Sequence, residues 1–328
     1  MNTRVWDVVI VGAGPAGLAA GIYARRAGLT PVLLERGLPG GQLVETDAVE
    51  NYPGFPEPIP GPELMDRMRR QAERLGAKIV MAEAKALTRK GELWRVEVQD
   101  GAYLGRAVIL AVGARPRELA AKGAKELTGR GVSYCATCDG YFFRDREVLM
   151  VGAGDSALIE ACFLAKLCSK VYVAVRHPQG DPKAIRAMAA IRDRALANPK
   201  IEFLWNVVVE EVKGEGKVAG VVLRDLATGE LRELPVAGVF VKIGSVPATD
   251  WLRGVVELTR DGYIRTDRWL RTSQPGVFAA GDCLEPVGRY AQAIVAAGEG
   301  AIAALEAERY LSGIEGSKGQ NTGPKGEI

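Results

Sequence analysis

A short apolar run, a glycine-rich turn and a long apolar segment with helical spacing occur twice in this chain. The first copy runs from Val8 to Arg36 and the second from Val148 to Arg176, offset by 140 residues and aligned without a gap. Each copy predicts a buried strand, a tight turn, a helix and a second strand. Two copies predict two dinucleotide-binding units in one chain.

The glycines of each turn have separate tasks. The first two let the backbone turn sharply and approach a pyrophosphate, which then meets the positive end of the following helix. A small third residue lets helix and strand pack closely. The predicted contacts are Gly12, Gly14, Pro15, Ala16 and Gly17 in the first copy, and Gly152, Gly154, Asp155, Ser156 and Ala157 in the second. A helix-packing turn without a ligand is the alternative for both.

The end of the second strand distinguishes the two expected ligands. Glu35 follows Gly14 by 21 residues, where a carboxylate accepts hydrogen bonds from ribose hydroxyls and repels a 2′-phosphate. The equivalent position is Val175, followed by Arg176 and His177. These residues predict FAD at the first copy and NADP(H) at the second. Arg176 as an ordinary solvated residue is the alternative.

Composition adds few constraints. The chain has 328 residues, 25% charged and 48% hydrophobic, with a formal net charge of +3. This is typical of a soluble protein of two domains and gives no reason to expect nucleic acid or membrane as a partner. Asp7 interrupts the first apolar stretch, so no signal peptide is expected and the cytoplasm is the predicted location.

Only two of the five cysteines have the spacing of a redox pair. Cys135 and Cys138 are separated by two residues, which brings the sulfurs within bonding distance. The other three, Cys162, Cys168 and Cys283, are predicted to be small buried residues. A zinc site is the alternative for the pair, but it needs two further ligands and the chain has one histidine.

Two more segments suggest contacts to a flavin. Gly40 and Gly41 precede Gln42 and Leu43, and the glycine pair lets main-chain amides approach a ligand. Near the other end, an apolar strand ends at Gly281-Asp282, and a helix is predicted from Gln292 to Leu311. Plain surface turns are the alternatives. If both ends of the chain bind one FAD, that domain is discontinuous.

Together the motifs resemble those of the bacterial low-molecular-weight thioredoxin reductases, which are flavoprotein disulfide reductases. The matching strings are GAGPAG, GGQL, ENYPGFP, CATCDGYFF, GAGDSA, GDC and YAQAIVAAGEGAIAALEAERYL. CATCDG, placed next to the second nucleotide turn, is the most specific of them. The resemblance covers the chain to about Gly313.

The resemblance implies an α/β fold of two Rossmann-like dinucleotide-binding domains, the second inserted into the first. The FAD-binding domain is expected at 1–117 and 246–313, and the NADP(H)-binding domain at 118–245. The tail, 314–328, is rich in Gly, Lys and Ser and is expected to be disordered. The implied FAD contacts are Gly12, Gly14, Gly17, Glu35, Gly41, Gln42, Leu43, Asn51, Asp282, Gln292 and Ala293. The implied NADP(H) contacts are Gly152, Gly154, Ser156, Ala157, Arg176 and His177.

The resemblance also implies a reaction. Hydride passes from NADPH to FAD, and the flavin reduces the Cys135–Cys138 disulfide. Cys138 is expected to face the flavin and Cys135 to attack thioredoxin or a similar small dithiol protein. Asp139 is expected either to protonate the departing thiolate or to cap the next turn. The inserted domain is expected to rotate between steps, and the protein to be a homodimer.

Several residues depart from the family pattern, mostly where the nicotinamide nucleotide is expected. A second arginine is missing after Arg176, Ile159 replaces the first of two glutamates, and Ser245 replaces a common histidine. Near the flavin, the usual Tyr-Arg-Gln-Ala is Tyr290-Ala291-Gln292-Ala293. The alternative functions are therefore a related flavoprotein that uses NADH, ferredoxin or a deazaflavin, and a flavin-binding protein without turnover. The aromatic run Tyr141 to Phe143 is expected to be core, with a docking surface as the alternative.

Overall fold

The computed structural model of the chain describes residues 4–46, 48–285 and 291–319, with backbone alone from 314 to 319. The chain divides into two compact units. The outer unit combines Met1–Arg115 with Val246–Ile328, and the inserted unit is Pro116–Ser245. Both boundaries lie within two residues of the expected crossings. The predicted α/β class, with one Rossmann-like domain inserted in another, is confirmed.

The first part of the outer unit alternates strands and helices before it ends in a meander. Its elements are β1 (Val5–Val11), α1 (Pro15–Arg26), β2 (Pro31–Glu35), α2 (Gly61–Arg74), β3 (Lys78–Met81), β4 (Ala86–Lys90), β5 (Leu93–Val98), β6 (Gly101–Leu110) and β7 (Ala114–Pro116). A short 3₁₀ helix, Gly41–Glu45, follows β2.

The inserted unit repeats the strand, turn and helix arrangement. Its elements are β8 (Val132–Ser133), α3 (Ala136–Asp139), β9 (Glu147–Val151), α4 (Asp155–Leu167), β10 (Lys170–Val175), α5 (Ala189–Leu196), β11 (Ile201–Trp205), β12 (Val207–Lys213), β13 (Gly220–Asp225), β14 (Leu231–Leu234) and β15 (Gly238–Val241). A 3₁₀ helix, Gly140–Phe143, follows α3 directly.

The chain then returns to the outer unit with β16 (Ser245–Pro247), a 3₁₀ helix (Asp250–Leu252), β17 (Val277–Ala279) and α6 (Ala293–Gly319). The helical backbone of α6 continues to Gly319, into the segment from residue 314 for which the sequence predicts a disordered tail. Extending an existing helix needs no new nucleation, so a polar end can follow the helix it is attached to. Residues 320–328 lie outside the described residues.

Parallel pairing builds the centre of both sheets. In the outer unit the order is β3-β2-β1-β6-β5-β4, and β17 also pairs with β6. In the inserted unit the order is β11-β10-β9-β15-β8, beside a separate antiparallel sheet β12-β13-β14. Val8, Val9 and Ile10 are fully buried, as are Val148 and Leu149. Continuous apolar strands of this kind are typical of a parallel sheet covered on both faces.

The two ends of the chain meet inside the outer unit through α1 and α6. A Cβ on Gly300 would lie 2.0 Å from the carbonyl oxygen of Ala16, so the two helix backbones touch at this point. Since Ala16 belongs to the first turn of α1, the last helix supports the element that follows the first glycine turn.

Candidate redox site

The first glycine turn has the conformation that its sequence predicts. Gly12 has a φ of +105°, which other residues rarely adopt. A Cβ on Gly12 would lie 2.2 Å from the carbonyl oxygen of Ala111, and one on Gly17 would lie 1.9 Å from that of Gly12. Gly14 precedes α1 in an extended conformation, and Pro15 is the first helical residue. The amides at this end of α1 are therefore available for an anion.

Glu35 lies at the end of β2 and faces the same turn. Its Oε2 accepts a hydrogen bond of 2.8 Å from the amide of Ala13, and its Oε1 accepts one of 3.2 Å from the amide of Gly37. The carboxylate is thereby held beside the glycine turn, where the ribose of a dinucleotide is expected.

The Gly281-Asp282 pair from the far end of the chain packs against the same helix. A Cβ on Gly281 would lie 3.1 Å from the Cβ of Ala16. The Gly281 amide donates a hydrogen bond of 2.8 Å to the carboxylate of Glu299 in α6. Burial, and then the nearby Glu299 carboxylate, raise the pKa of Asp282 above its usual range.

Further residues expected at the flavin also come together in the outer unit. Asn51 donates a hydrogen bond of 2.9 Å from its side chain to that of Gln292, although 241 residues separate them. The Gln42 side chain donates to the carbonyl oxygen of Ala114. Gly41 and Leu43 lie in the 3₁₀ helix, and Ala293 begins α6. Tyr290 lies outside the described residues.

The second glycine turn repeats the geometry of the first. Gly152 has a φ of +120°, and its Cβ would lie 2.2 Å from the carbonyl oxygen of Lys242. A Cβ on Gly154 would meet no atom within 4 Å, so the space before α4 is open. Asp155 accepts a hydrogen bond of 2.7 Å from the amide of Met188. Ser156 is exposed beside the turn, and Ala157 is buried against it.

The end of β10 differs from the end of β2 in charge. Val175 is buried, and the Arg176 side chain that follows is exposed. His177 Nδ1 lies 3.2 Å from Asp181 Oδ2. The one arginine expected at a 2′-phosphate therefore stands next to a histidine that is paired with a carboxylate.

The two cysteines of the predicted redox pair form a disulfide at the start of α3, with their Cα atoms 5.4 Å apart. Cys135 is buried and Cys138 is exposed. The Cys138 amide donates a hydrogen bond of 3.1 Å to Cys135 Sγ, and the Cys135 amide donates one of 3.0 Å to the Ser133 hydroxyl. These contacts fix the sulfurs within the inserted unit.

A partly buried ion pair lies against the same short helix, and the sequence analysis did not identify its cation, Lys242. The Ala136 amide donates to Glu160 of α4 at 3.1 Å, and Glu160 pairs with Lys242 at 2.7 Å. Lys242 follows β15 and is 82 residues from Glu160 in sequence. A pair formed between two such distant elements leaves no local pattern that could identify it.

The residues after the disulfide differ in part from expectation. Asp139 forms no capping hydrogen bond to the 3₁₀ helix that it precedes. Tyr141 is 58% exposed and Phe142 is 80% exposed, so the prediction that both belong to the core is wrong. Phe143 instead packs edge-on against Phe240, with the ring centroids 5.4 Å apart. Tyr141 also meets the edge of Phe163 in α4, with the ring centroids 6.1 Å apart, but this contact leaves most of its surface exposed.

The remaining cysteines are poor nucleophiles. Burial raises the pKa of Cys168 to about 11 and that of Cys283 to about 12, and it also raises the pKa of Cys162. Within the described ranges, three or more His, Cys, Asp or Glu side chains nowhere gather as a metal site would require. A helix with the length and apolarity of a membrane span is likewise absent from the part of the chain that the structure describes.

Comparison with known proteins identifies the family. The model of the pyridine nucleotide-disulphide oxidoreductase family matches residues 6–300. A thioredoxin reductase of Mycolicibacterium smegmatis is 48% identical over 312 residues, which cover 95% of this chain and 98% of that protein. The chain belongs to the thioredoxin reductase family.

Solved thioredoxin reductases also share the fold. The enzyme of Lactococcus lactis in its FR conformation matches with a TM-score of 0.89 and 38% identity, over 94% of this chain and 99% of that one. The enzyme of T. acidophilum matches with a TM-score of 0.87 and 36% identity, over 95% and 99%. Family membership makes this protein an oxidoreductase that uses a flavin and a pyridine nucleotide, and the Cys135–Cys138 pair fits its redox-active disulfide.

Proposed function

We propose that this protein carries electrons from NADPH through FAD to the Cys135–Cys138 disulfide and from there to thioredoxin. The observation that carries the proposal is the disulfide itself, formed next to the second glycine turn and in the same unit. Oxidised vicinal cysteines on one short helix are suited to exchange with another disulfide. We also propose a homodimer in the cytoplasm, as the family resemblance implies.

The outer unit provides a fitting site for FAD. Its glycine turn leaves helix amides for a pyrophosphate, and Glu35 offers an acceptor to ribose hydroxyls. Asp282 adds a second polar group, held among residues that both ends of the chain contribute. When bound, FAD supplies a two-electron carrier between a nicotinamide and a disulfide.

Two features of the inserted unit support NADPH as the donor in this proposal. Gly152 and Gly154 leave an open space before α4 for the pyrophosphate. Arg176, exposed at the end of β10, would bind the 2′-phosphate, since Val175 offers no carboxylate to repel it.

Exchange with the protein substrate uses this chain's own sulfurs. Cys135 is buried in this structure, so the expected rotation of the inserted unit must expose it before exchange. Its thiolate then attacks the substrate disulfide, forms a mixed disulfide and releases one substrate sulfur, which Asp139 protonates. The thiolate of Cys138 then attacks Cys135 Sγ, which restores the Cys135–Cys138 bond and releases the second substrate sulfur. Two electrons have then left the chain.

The aromatic side chains beside the disulfide are placed to receive a protein. Tyr141 and Phe142 are exposed within seven residues of both cysteines, and Phe142 has 80% of its surface exposed. Exposed aromatic residues next to a reactive pair are typical of a docking surface. We propose that thioredoxin contacts these two rings.

A second candidate differs in its electron donor. His177 is paired with Asp181, so the region around Arg176 holds a carboxylate where a second cation would help a phosphate. Ile159 is 40% exposed near the same turn. These features favour NADH, or a donor without a nicotinamide, over NADPH.

Anaerobic titration of the purified yellow protein tests the donor. NADPH is expected to bleach the flavin absorbance rapidly and NADH slowly. Faster bleaching by NADH, or slow bleaching by both with normal reduction by dithionite, would favour the second candidate. A colourless protein that does not take up FAD would contradict both.

A further inference from the structure

The first amide of α3, the short helix that carries the disulfide, is hydrogen-bonded to a carboxylate from another helix. The Ala136 amide, which lies between the two cysteines in sequence, donates a hydrogen bond of 3.1 Å to Glu160 Oε2. Glu160 belongs to α4, the helix that follows the second glycine turn. This bond ties the start of α3 to the dinucleotide-binding part of the inserted unit.

The same carboxylate forms an ion pair with a lysine that follows a strand of the sheet. Lys242 Nζ lies 2.7 Å from Glu160 Oε1, and the two side chains are only 16% and 12% exposed. Lys242 follows β15, and its carbonyl oxygen is the atom that a Cβ on Gly152 would strike. The backbone of Lys242 therefore contacts the second glycine turn, and its ammonium group pairs with the carboxylate that is bonded to α3.

The charges matter because the reactive form of a cysteine is its thiolate. A carboxylate near a thiol disfavours the thiolate, and a cation favours it. Low exposure weakens solvent screening, so both effects are larger than at the surface. With Ile159 in place of the family's other glutamate, this chain balances one carboxylate with one ammonium group.

We propose that Glu160 and Lys242 are positioning residues of the redox centre. Glu160 holds the first amide of α3, and Lys242 cancels the charge of Glu160 beside Cys135 and Cys138. This inference rests on the proposed function, in which the two thiolates pass electrons to a protein disulfide.

Other titratable groups lie on the elements around the disulfide, including Tyr134 before it and Tyr141, Arg144 and Asp145 after it. Asp139 follows Cys138 directly, and Asp155 at the start of α4 is bonded to the Met188 amide. Lys166 and Cys162 lie further along α4. None of these groups changes in the variants below, so a shift in thiol titration reports the Glu160–Lys242 pair.

Two single variants and their combination separate charge from structure. Lys242→Met keeps a side chain of similar length and removes the ammonium group that pairs with Glu160, whereas Glu160→Gln keeps an acceptor for Ala136 and removes the carboxylate that pairs with Lys242. The protein is reduced with a phosphine, which needs neither nucleotide nor bound donor. The rate of Cys138 alkylation is then measured as a function of pH by peptide mass spectrometry, which distinguishes Cys138 from Cys162.

The two single variants are expected to shift the midpoint of the Cys138 titration in opposite directions. Lys242→Met moves it up by roughly one unit, which slows alkylation at pH 7 about tenfold, and Glu160→Gln moves it down. The double variant returns close to the unmodified protein. Lys170→Met, which breaks the exposed Lys170–Glu202 pair of the same unit, is the matched control and leaves the midpoint unchanged.

Shifts in the same direction for both singles, or none beyond that of Lys170→Met, would overturn the proposal. If one single variant unfolds, the other still decides, because no shift of its midpoint beyond that of Lys170→Met would overturn the proposal. The double variant then separates charge from packing, since its midpoint is expected to match the unmodified protein. Failure of the proposed function would be separate, because normal titration shifts with no reduction of thioredoxin would leave the pair's role intact.

Discussion

Glu35 Oε2 lies 2.8 Å from the amide nitrogen of Ala13, in the middle of the first glycine turn. The bond joins the end of β2 to the loop between β1 and α1. It holds a carboxylate at the edge of the space before the helix, where we propose that a ribose diol binds.

Glu35→Ala is expected to lose FAD. The variant removes the acceptor for the ribose hydroxyls and leaves the Ala13 amide without this partner, which together cost about 1.5–3 kcal/mol, or roughly a tenfold to a hundredfold loss of affinity. The ratio of flavin to protein absorbance after purification measures it. Glu63→Ala, which removes an exposed carboxylate of α2, is the control. Equal flavin content in the two variants would show that Glu35 does not bind the cofactor.

Arg176→Ala is expected to raise the KM for NADPH roughly tenfold or more, since a charge-assisted hydrogen bond to the 2′-phosphate is lost. The KM for NADH, which has no such phosphate, stays the same. Steady-state kinetics with both donors measure the ratio. Arg192→Ala, also in the inserted unit, serves as the control. A similar change for NADH and NADPH would mean that Arg176 does not read the phosphate.

Gly300→Ala is expected to destabilise the outer unit by about 2 kcal/mol or more, because its Cβ would lie 2.0 Å from the Ala16 carbonyl oxygen. Gly298→Ala in the same helix meets no atom within 4 Å and is expected to stabilise the helix by about 0.5–1 kcal/mol. Melting temperatures of the two variants should therefore move in opposite directions. A Gly300→Ala protein as stable as Gly298→Ala would contradict the close approach of α1 and α6.

The raised pKa of Asp282 should make the stability of the flavin-free protein depend on pH. Burial and Glu299 raise its pKa, so the folded state holds this proton more tightly than the unfolded chain. The resulting stability is fully present below the ordinary pKa of aspartate, about 3.9, and is lost as pH rises through the raised value. Asp282→Asn removes this dependence.

The melting temperature of Asp282→Asn, relative to the unmodified protein, should therefore increase as the pH rises from about 4 through the raised pKa of Asp282. The same variant is expected to bind FAD less tightly, because Asp282 is a proposed contact. Asp261→Asn, an exposed position in the same unit, is the control. A difference that does not vary with pH would show that Asp282 titrates as it does in the unfolded chain.

Local sequence signals predicted much of this structure. Gly12 and Gly152 stand where a positive φ is needed, and the apolar runs before them form buried parallel strands. The spacing of Cys135 and Cys138 places both sulfurs on one short turn, which was sufficient to predict their pairing. In each case the signal lies within a few residues of the feature that it specifies.

Other features depend on packing between distant elements. Tyr141 and Phe142 look like core residues in sequence, but most of the surface of each is exposed. Nothing near Lys242 in sequence indicates that it will reach Glu160, since the sheet order brings them together. Likewise, the last residues of α6 continue the helix before them although their own sequence is polar.

The most direct test of the account is an anaerobic reaction of NADPH with this protein and oxidised thioredoxin, compared between the unmodified chain and Cys138→Ser. Because flavin, disulfide and substrate each exchange two electrons, each NADPH should reduce about one thioredoxin disulfide in the unmodified protein. In Cys138→Ser the flavin should bleach while thioredoxin stays oxidised, and Cys162→Ser should behave as the unmodified protein does. Reduction of thioredoxin by Cys138→Ser at the normal rate would contradict the central claim that electrons leave through this pair.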